Sequence, residues 1–130
     1  MSARIKIIAL IYIFILAGII VLADSHGTSY FAFVRLLPFG DKIGHFCLMG
    51  MFSLVVNLGL NARTISIWNL HYLLGSLIVL AVVAIEEFSQ IFIRARGFDW
   101  GDLLADAAGI FIFSEIARFV TQRYFSENKV

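Results

Sequence analysis

Charge is scarce in this sequence. Of its 130 residues, 15% are charged and 61% are hydrophobic, whereas a soluble domain carries about 25% charged residues. The composition therefore argues against a water-soluble globule. The few charges also nearly cancel, at a formal net charge of +1, and the ten basic residues form no patch. Nucleic acid is for that reason not predicted as a partner.

Other features are missing as well. The chain has one cysteine, Cys47, so it cannot form an internal disulfide. It has no internal repeat, no low-complexity stretch, and none of the apolar–polar alternation that forms a membrane β-barrel. Its apolar residues instead come in long blocks, and in lipid a helix satisfies its own backbone hydrogen bonds. We predict one all-α domain over residues 1–130, an integral membrane four-helix bundle.

The apolar blocks define the four predicted helices. Their approximate spans are 5–23, 43–60, 70–93 and 103–120. The third block is apolar only up to Ile85, and at about 1.5 Å per residue it would be shorter than the roughly 30 Å hydrocarbon core. We therefore extend this helix through Glu86 to Ile93. The first block has a second interpretation, because its basic flank and its small-residue ending at Ala23 also resemble a signal peptide with its cleavage site.

The segment between the first two helices, residues 24–40, is too apolar to be a free loop. We predict a short helix that lies in the membrane interface, stopped by Pro38 and turned by Gly40. Basic residues near the helix ends give the orientation, since six lie on the side of the termini and four on the opposite side. Both termini are thus predicted to be cytoplasmic.

Polar residues gather at one end of this predicted bundle. The second helix starts there, the third ends there and the fourth starts there. Each carries a polar pair spaced i, i+4, which places both members on one helical face. The pairs are Asp41 with His45, Glu86 with Gln90, and Asp102 with Asp106. We expect the three faces to converge.

The charges at this end do not balance. Six carboxylates stand against three basic side chains, which leaves three excess negative charges if His45 is neutral. The residues counted are Asp41, Glu86, Glu87, Asp99, Asp102 and Asp106 against Lys42, Arg94 and Arg96. Beside lipid such an excess has to be relieved by retained protons, by a charged His45, by a bound cation or by a cationic ligand.

These residues also form a pattern along the chain. Asp41-Lys42-x-x-His45-Phe46 opens one helix, Glu86-x-x-x-Gln90 ends the next, and Arg96-x-x-Asp99-x-x-Asp102-x-x-x-Asp106-x-x-Gly109 enters the last. Over about residues 41–113 the pattern resembles the VanZ-like family of small bacterial membrane proteins. The resemblance implies a location in the bacterial inner membrane. It also implies a role in the cell envelope, because the family's founding member is associated with low-level resistance to the glycopeptide teicoplanin. Asp106 stands where the family pattern favours Asn.

Glu86 is the leading predicted site residue, because an ionisable side chain at membrane depth is a functional-site hypothesis by default. An ion pair with Arg96 or a hydrogen bond to Gln90 is the structural alternative. Glu86 and His45 are the catalytic candidates if the site is an active site. His45 has two other interpretations, as a metal ligand or as a hydrogen-bond donor to Asp41, and the last is favoured. The predicted ligand-binding residues are Asp41, Lys42, His45, Glu86, Gln90, Arg96, Asp99, Asp102 and Asp106, with Lys42 and Asp99 at the rim. We assign no metal site and predict no cofactor.

The remaining polar residues have structural interpretations. Glu87 lies about 100° from Glu86 around the helix and is predicted to pair with Arg94 or to reach the membrane interface. Asp102 is predicted to be the N-cap of the fourth helix. Two further expectations are close helix packing at Ala105 and Gly109, and a local ion pair of Glu115 with Arg118.

Three functions follow from the sequence as hypotheses. The first is binding of a lipid, or of a lipid-linked envelope precursor, at an outward-facing polar cluster, with an influence on glycopeptide susceptibility. The second is an enzyme acting on an envelope lipid or precursor, although the sequence has no nucleophilic serine motif, His-x-x-x-His pair or glycine-rich phosphate loop. The third is a ligand-free structural or assembly partner. The expected partners are membrane lipids, such a precursor, and a second copy of the chain in a homo-oligomer.

Overall fold

Helices make up most of the chain, as the all-α prediction required. The computed structural model describes residues 3–26, 36–92 and 98–127. In chain order the elements are α1 (Ala3–His26), α2 (Gly40–Gly59), β1 (Thr64–Ile67), β2 (Leu70–Leu73), α3 (Leu74–Ser89), which a 3-10 turn over Gln90–Phe92 extends, and α4 (Trp100–Glu127). The two strands form a hairpin between α2 and α3.

This hairpin corrects the predicted start of the third helix at residue 70. β1 and β2 pair antiparallel with Ile67 opposite Leu70, so the turn consists of Trp68 and Asn69. Both turn residues have positive φ, at 50° and 63°, as a type I′ turn requires. The run 70–73 is apolar in either conformation, and four residues are too few for periodicity to distinguish a strand from a helix.

Other helix boundaries differ by a few residues. α2 begins at Gly40 rather than at 43, and α4 begins at Trp100 rather than at 103. The residues added at each start form a first turn that carries a carboxylate, Asp41 in α2 and Asp102 in α4. Helix limits drawn from apolar blocks leave such polar turns out. α1 continues to His26, so it takes up the start of the predicted interfacial segment. Residues 27–35 of that segment, and the predicted third-helix end at 93, lie outside the described residues.

α2 lies at the centre of the bundle, and its contact with α4 is the most extensive between any two elements described. The buried apolar core is formed by Leu16, Met49, Phe52, Val79, Val83 and Ile110. α1 attaches to α2 through Tyr12, whose hydroxyl donates a hydrogen bond to the Leu48 carbonyl at 2.7 Å. The Tyr12 ring also stacks on Phe52, with 6.1 Å between ring centroids.

Two helices of the described chain, Gly40–Gly59 and Leu74–Phe92, are long and apolar enough to cross a membrane. A shorter apolar stretch, Ile7–Leu16, lies in α1. Large apolar side chains also point away from the protein, among them Phe14 and Ile85, which are 76% and 71% exposed. Lipid contact is the environment in which such exposure is favourable, so these features favour membrane association.

Candidate functional site

The site is positioned by a close approach of α2 and α4. A Cβ atom added at Gly109 would collide with the backbone carbonyl of Phe46, so the two helix backbones touch there. One turn further along α2, the ring of Phe113 fills the space that a side chain on Gly50 would need. The same ring meets Phe46 edge-on, with centroids 6.0 Å apart. The predicted packing role of Gly109 is confirmed, and it brings the polar first turns of both helices together.

His45 of α2 lies between two carboxylates of α4. Its Nδ1 is 3.1 Å from Asp106 Oδ1 and 3.2 Å from Oδ2, and its Nε2 is 3.8 Å from Asp102 Oδ2. Both aspartates are buried, Asp106 completely. The structure thus brings the predicted polar faces of α2 and α4 into contact. The carboxylate at Nδ1 belongs to Asp106 of the facing helix rather than to Asp41, the partner favoured from the sequence.

The contact with Asp106 determines where the His45 proton lies. An ionised carboxylate only accepts hydrogen bonds, so in the tautomer that pairs with ionised Asp106 the Nδ1–H of His45 is the donor. In the neutral ring, Nε2 then keeps a lone pair on the side of Asp102. An imidazole oriented in this way by a carboxylate is equipped to act as a base or as a metal ligand.

Lys42 lies at the rim and connects two aspartates of α4. Its Nζ donates hydrogen bonds to Asp99 Oδ2 at 3.0 Å and to Asp102 Oδ1 at 3.1 Å. The other oxygen of Asp99 accepts a hydrogen bond from the Gly101 amide at 2.6 Å. Because α4 begins at Trp100, Asp99 is its N-cap, and the predicted capping role of Asp102 is wrong. The Gly101 amide and the Lys42 ammonium hold the pKa of the Asp99 carboxyl below its usual range.

Glu87 is the fully buried acid of α3. Its Oε1 accepts a hydrogen bond from the Asp99 amide at 3.0 Å. Its Oε2 has no hydrogen-bond partner among the residues that the structure describes. The predicted position of Glu87 at the membrane interface is therefore wrong, because the rotation of α3 turns this residue, about 100° from Glu86, toward α4.

The other predicted site residues have varied positions. Glu86 is half-buried and accepts a hydrogen bond from the Gln90 amide at 2.8 Å, which matches the structural alternative for this pair. Asp41 joins the α2 side of the cluster, since one ligand atom from each of Asp41, His45 and Asp102 lies within 4.8 Å of the others. Arg96 lies outside the described residues.

A second polar network lies further along the same helix faces, and the sequence analysis missed it. Ser53 and Asn57 follow His45 on α2 by eight and twelve residues, and Ser114 follows Asp106 on α4 by eight, all multiples of four. The Asn57 amide donates to Ser76 of α3 at 2.9 Å. The Ser114 hydroxyl lies 2.9 Å from that of Ser53 and 2.6 Å from that of Ser76. The polar residues spaced by multiples of four inside apolar blocks were the sequence signal for this network. The network fixes the relative register of three helices.

No family model matches this chain, and none of the curated proteins or solved structures does so either. The resemblance of residues 41–113 to the VanZ-like family rests on the residue pattern alone. The chemistry of the site is that of a hydrogen-bond-accepting, anionic cluster with one oriented imidazole and one ammonium group at its rim. Such a cluster suits a cation, an amine or a hydroxyl-rich group.

Proposed function

We propose that this protein is a multi-pass bacterial inner-membrane protein of the VanZ-like family. In this proposal it binds the polar head group of a lipid, or of a lipid-linked envelope component, at the cluster of α2, α3 and α4. Both termini are cytoplasmic and the cluster opens to the outer side. The supporting observation is the burial of Asp106 and Glu87, with His45 beside them, at one end of helices whose outer surfaces are apolar. At that end of a spanning helix, lipid head groups lie beside the protein.

The surroundings of the cluster support a lipid ligand. Large apolar side chains are strongly exposed just before α2 and in the first turns of α4. They are Leu36, Phe39, Trp100 and Leu104, exposed by 85%, 77%, 65% and 69%. A ligand with an acyl chain would place its polar head among the carboxylates and its chain against this apolar rim.

The charge of the cluster supports a particular kind of head group. Its described carboxylates belong to Asp41, Glu87, Asp99, Asp102 and Asp106, and its cationic groups are Lys42 and, when protonated, His45. An amine-bearing or hydroxyl-rich head group donates hydrogen bonds, which these acceptors need. An envelope precursor has such groups, and its capture would connect the site to glycopeptide susceptibility.

One observation favours the enzymatic alternative. The Asp106–His45 pair orients an imidazole whose Nε2 is free to take a proton, which is the arrangement of a general base. If the protein turns over an envelope lipid, His45→Ala should abolish that turnover. If no product forms from envelope lipids, the site only binds.

Native mass spectrometry of protein extracted gently with its own lipids tests the binding proposal. We expect the wild type to retain a defined lipid or precursor and Asp102→Asn to lose it, because the substitution removes the carboxylate that faces both Lys42 and His45. Glu115→Gln is the matched control. Glu115 lies on the same helix, is exposed, and pairs locally with Arg118 at 3.2 Å as predicted from the sequence. A wild type that carries only bulk lipid, or a D102N variant that keeps the defined species, would overturn the proposal.

The adjacent acids of α3 sharpen this test. The sequence favours Glu86 as the site residue, whereas Glu87 is the acid that contacts α4. We expect Glu87→Gln to reduce ligand retention more than Glu86→Gln does. A larger loss of ligand in Glu86→Gln would indicate that the ligand binds at the face of α3 that carries Glu86.

A further inference from the structure

We infer that Asp41, His45 and Asp102 form a binding site for a divalent transition-metal ion, with zinc as the reference ion. Asp106 acts as the residue that positions His45. This inference goes beyond the proposed function, because it adds an ion to the cluster at which a head group is proposed to bind. It rests on the geometry of the side chains and holds with or without a lipid ligand.

The first argument is the spacing of the donor atoms. Ligand atoms of Asp41, His45 and Asp102 lie within 4.8 Å of one another. The 3.8 Å between His45 Nε2 and Asp102 Oδ2 is too long for a hydrogen bond. Two ligand atoms on one tetrahedral zinc ion, each about 2.1 Å from the metal, are about 3.4 Å apart. The His45–Asp102 pair is therefore within a few tenths of an ångström of the spacing for coordination. Asp41 is exposed, and its ligand atom would have to move closer by up to about 1.4 Å.

The second argument is the orientation of the imidazole. When Asp106 accepts a hydrogen bond from the Nδ1–H of His45, Nε2 keeps the lone pair that a metal needs. A histidine ligand in a metalloprotein commonly donates its other ring N–H to a carboxylate in this way. The two oxygens of Asp102 also have separate partners. Oδ1 accepts a hydrogen bond from Lys42, and Oδ2 lies toward His45.

The third argument is independent of the three ligands and comes from α3. Glu87 is fully buried, and its Oε2 has no hydrogen-bond partner within the described part of the chain. The Asp99 amide holds its other oxygen at the start of α4, which places Glu87 within electrostatic range of His45 and Asp102. A buried carboxylate oxygen without a partner is costly. A cation in the cluster, or a water molecule bound to that cation, would supply the missing partner.

The donor set indicates the class of metal. An imidazole nitrogen with carboxylate oxygens suits Zn²⁺ and neighbouring transition metals, whereas Mg²⁺ prefers octahedral oxygen coordination and keeps several waters. The carboxylates of Asp41 and Asp102 neutralise a dication. We therefore expect zinc to bind far more tightly than magnesium.

The test is a zinc titration of the full chain, purified in detergent, stripped of metal by a chelator and followed by calorimetry. We expect one zinc ion per chain, loss of binding in His45→Ala and Asp102→Asn, and affinity about 10- to 100-fold weaker in Asp106→Asn. His71→Ala is the matched control, because His71 is an exposed histidine of the hairpin at the opposite end of α3. Wild-type affinity in H45A, equal loss in H71A, or equally tight magnesium binding would each reject the site.

A second readout does not depend on the folding of any variant. Co²⁺ bound to the wild-type protein should give the visible absorption of a low-symmetry nitrogen–oxygen site, and zinc should displace it. Absence of that spectrum rejects the inference. Native mass spectra with and without chelator separate the two proposals. Lipid retained by a protein that binds no zinc supports the proposed function alone, whereas zinc bound without a defined lipid supports the metal site alone.

Discussion

At the scale of single residues, Asp99 combines two separable contacts. One carboxylate oxygen caps α4 through the Gly101 amide, and the other accepts a hydrogen bond from Lys42. Both contacts favour the ionised carboxyl, and they keep its pKa below the usual range. Because the folded-state pKa is the lower one, this contribution to stability is present above the ordinary pKa of aspartate. It is lost as the pH falls through the folded value.

Two substitutions at this position separate the contacts. Asn caps helices as well as Asp does, so Asp99→Asn should lose only the attraction to Lys42 and lower the melting temperature slightly. Asp99→Ala should lose both contacts and melt at a lower temperature than D99N. Thermal melting of the detergent-solubilised protein, from neutral pH to about pH 3, measures both effects. The difference between wild type and D99N should shrink toward the acidic end, and a difference that does not change with pH contradicts the assignment.

At the scale of elements, the packing of α2 on α4 depends on the absence of a side chain at Gly109. A Cβ atom at this position meets the Phe46 carbonyl, carbon and Cα, which are backbone atoms that cannot rotate away. The helices would have to separate, and the Asp106–His45 contact lies one turn from this point. Close packing and site geometry are therefore coupled.

We expect Gly109→Ala to destabilise the fold by roughly 1–3 kcal/mol, the usual cost of overpacking, and to weaken ligand binding at the cluster. Gly44→Ala is the control on the same helix pair, because a Cβ atom at Gly44 meets nothing within 4 Å. Thermal or chemical denaturation in detergent measures the difference. Equal stability of the two variants would contradict the close contact.

The turn of the hairpin between α2 and α3 contains an unusual residue, Trp68. Trp68 occupies a left-handed conformation that bulky residues rarely adopt, and its side chain is 94% exposed. A type I′ turn favours Asn or Gly at this position. The conformation of the turn therefore does not account for a tryptophan here. The water–lipid interface is the environment that its amphipathic ring prefers.

At the scale of the whole molecule, the two tryptophans mark opposite ends of the bundle. Trp68 precedes α3 through β2, and Trp100 starts α4 after the end of the α3 extension. The membrane proposal places both at interfaces, on opposite sides of the bilayer.

Fluorescence of the variants Trp68→Phe and Trp100→Phe in lipid vesicles tests that arrangement. Each leaves a single tryptophan, since the chain has two. Lipids brominated near the head group should quench both variants, and a membrane-impermeant aqueous quencher added outside should reach only one of them in vesicles of uniform protein orientation. Quenching of both from the same side would place the two ends on one side and contradict a spanning α3.

The sequence determined the features that depend on local composition and spacing. Low charge and long apolar blocks indicated helices suited to lipid. The i, i+4 pairs correctly predicted that His45 and Asp106 would lie on facing sides of α2 and α4, because helical periodicity is fixed by backbone geometry. Close helix packing at Gly109 also followed from the absence of a side chain, whereas the identity of α2 as the partner helix did not. These features need no knowledge of how one element is rotated against another.

Tertiary structure alone decided the rest. Glu86 and Glu87 have the same chemistry and adjacent positions, and only the rotation of α3 against α4 buries Glu87. Residues 70–73 have apolar side chains that fit a strand or a helix, and only pairing with β1 makes them a strand. The network of Ser53, Asn57 and Ser114 likewise became visible only when three helices were brought together. In each case the deciding energy comes from contacts between segments distant in sequence, which local periodicity does not encode.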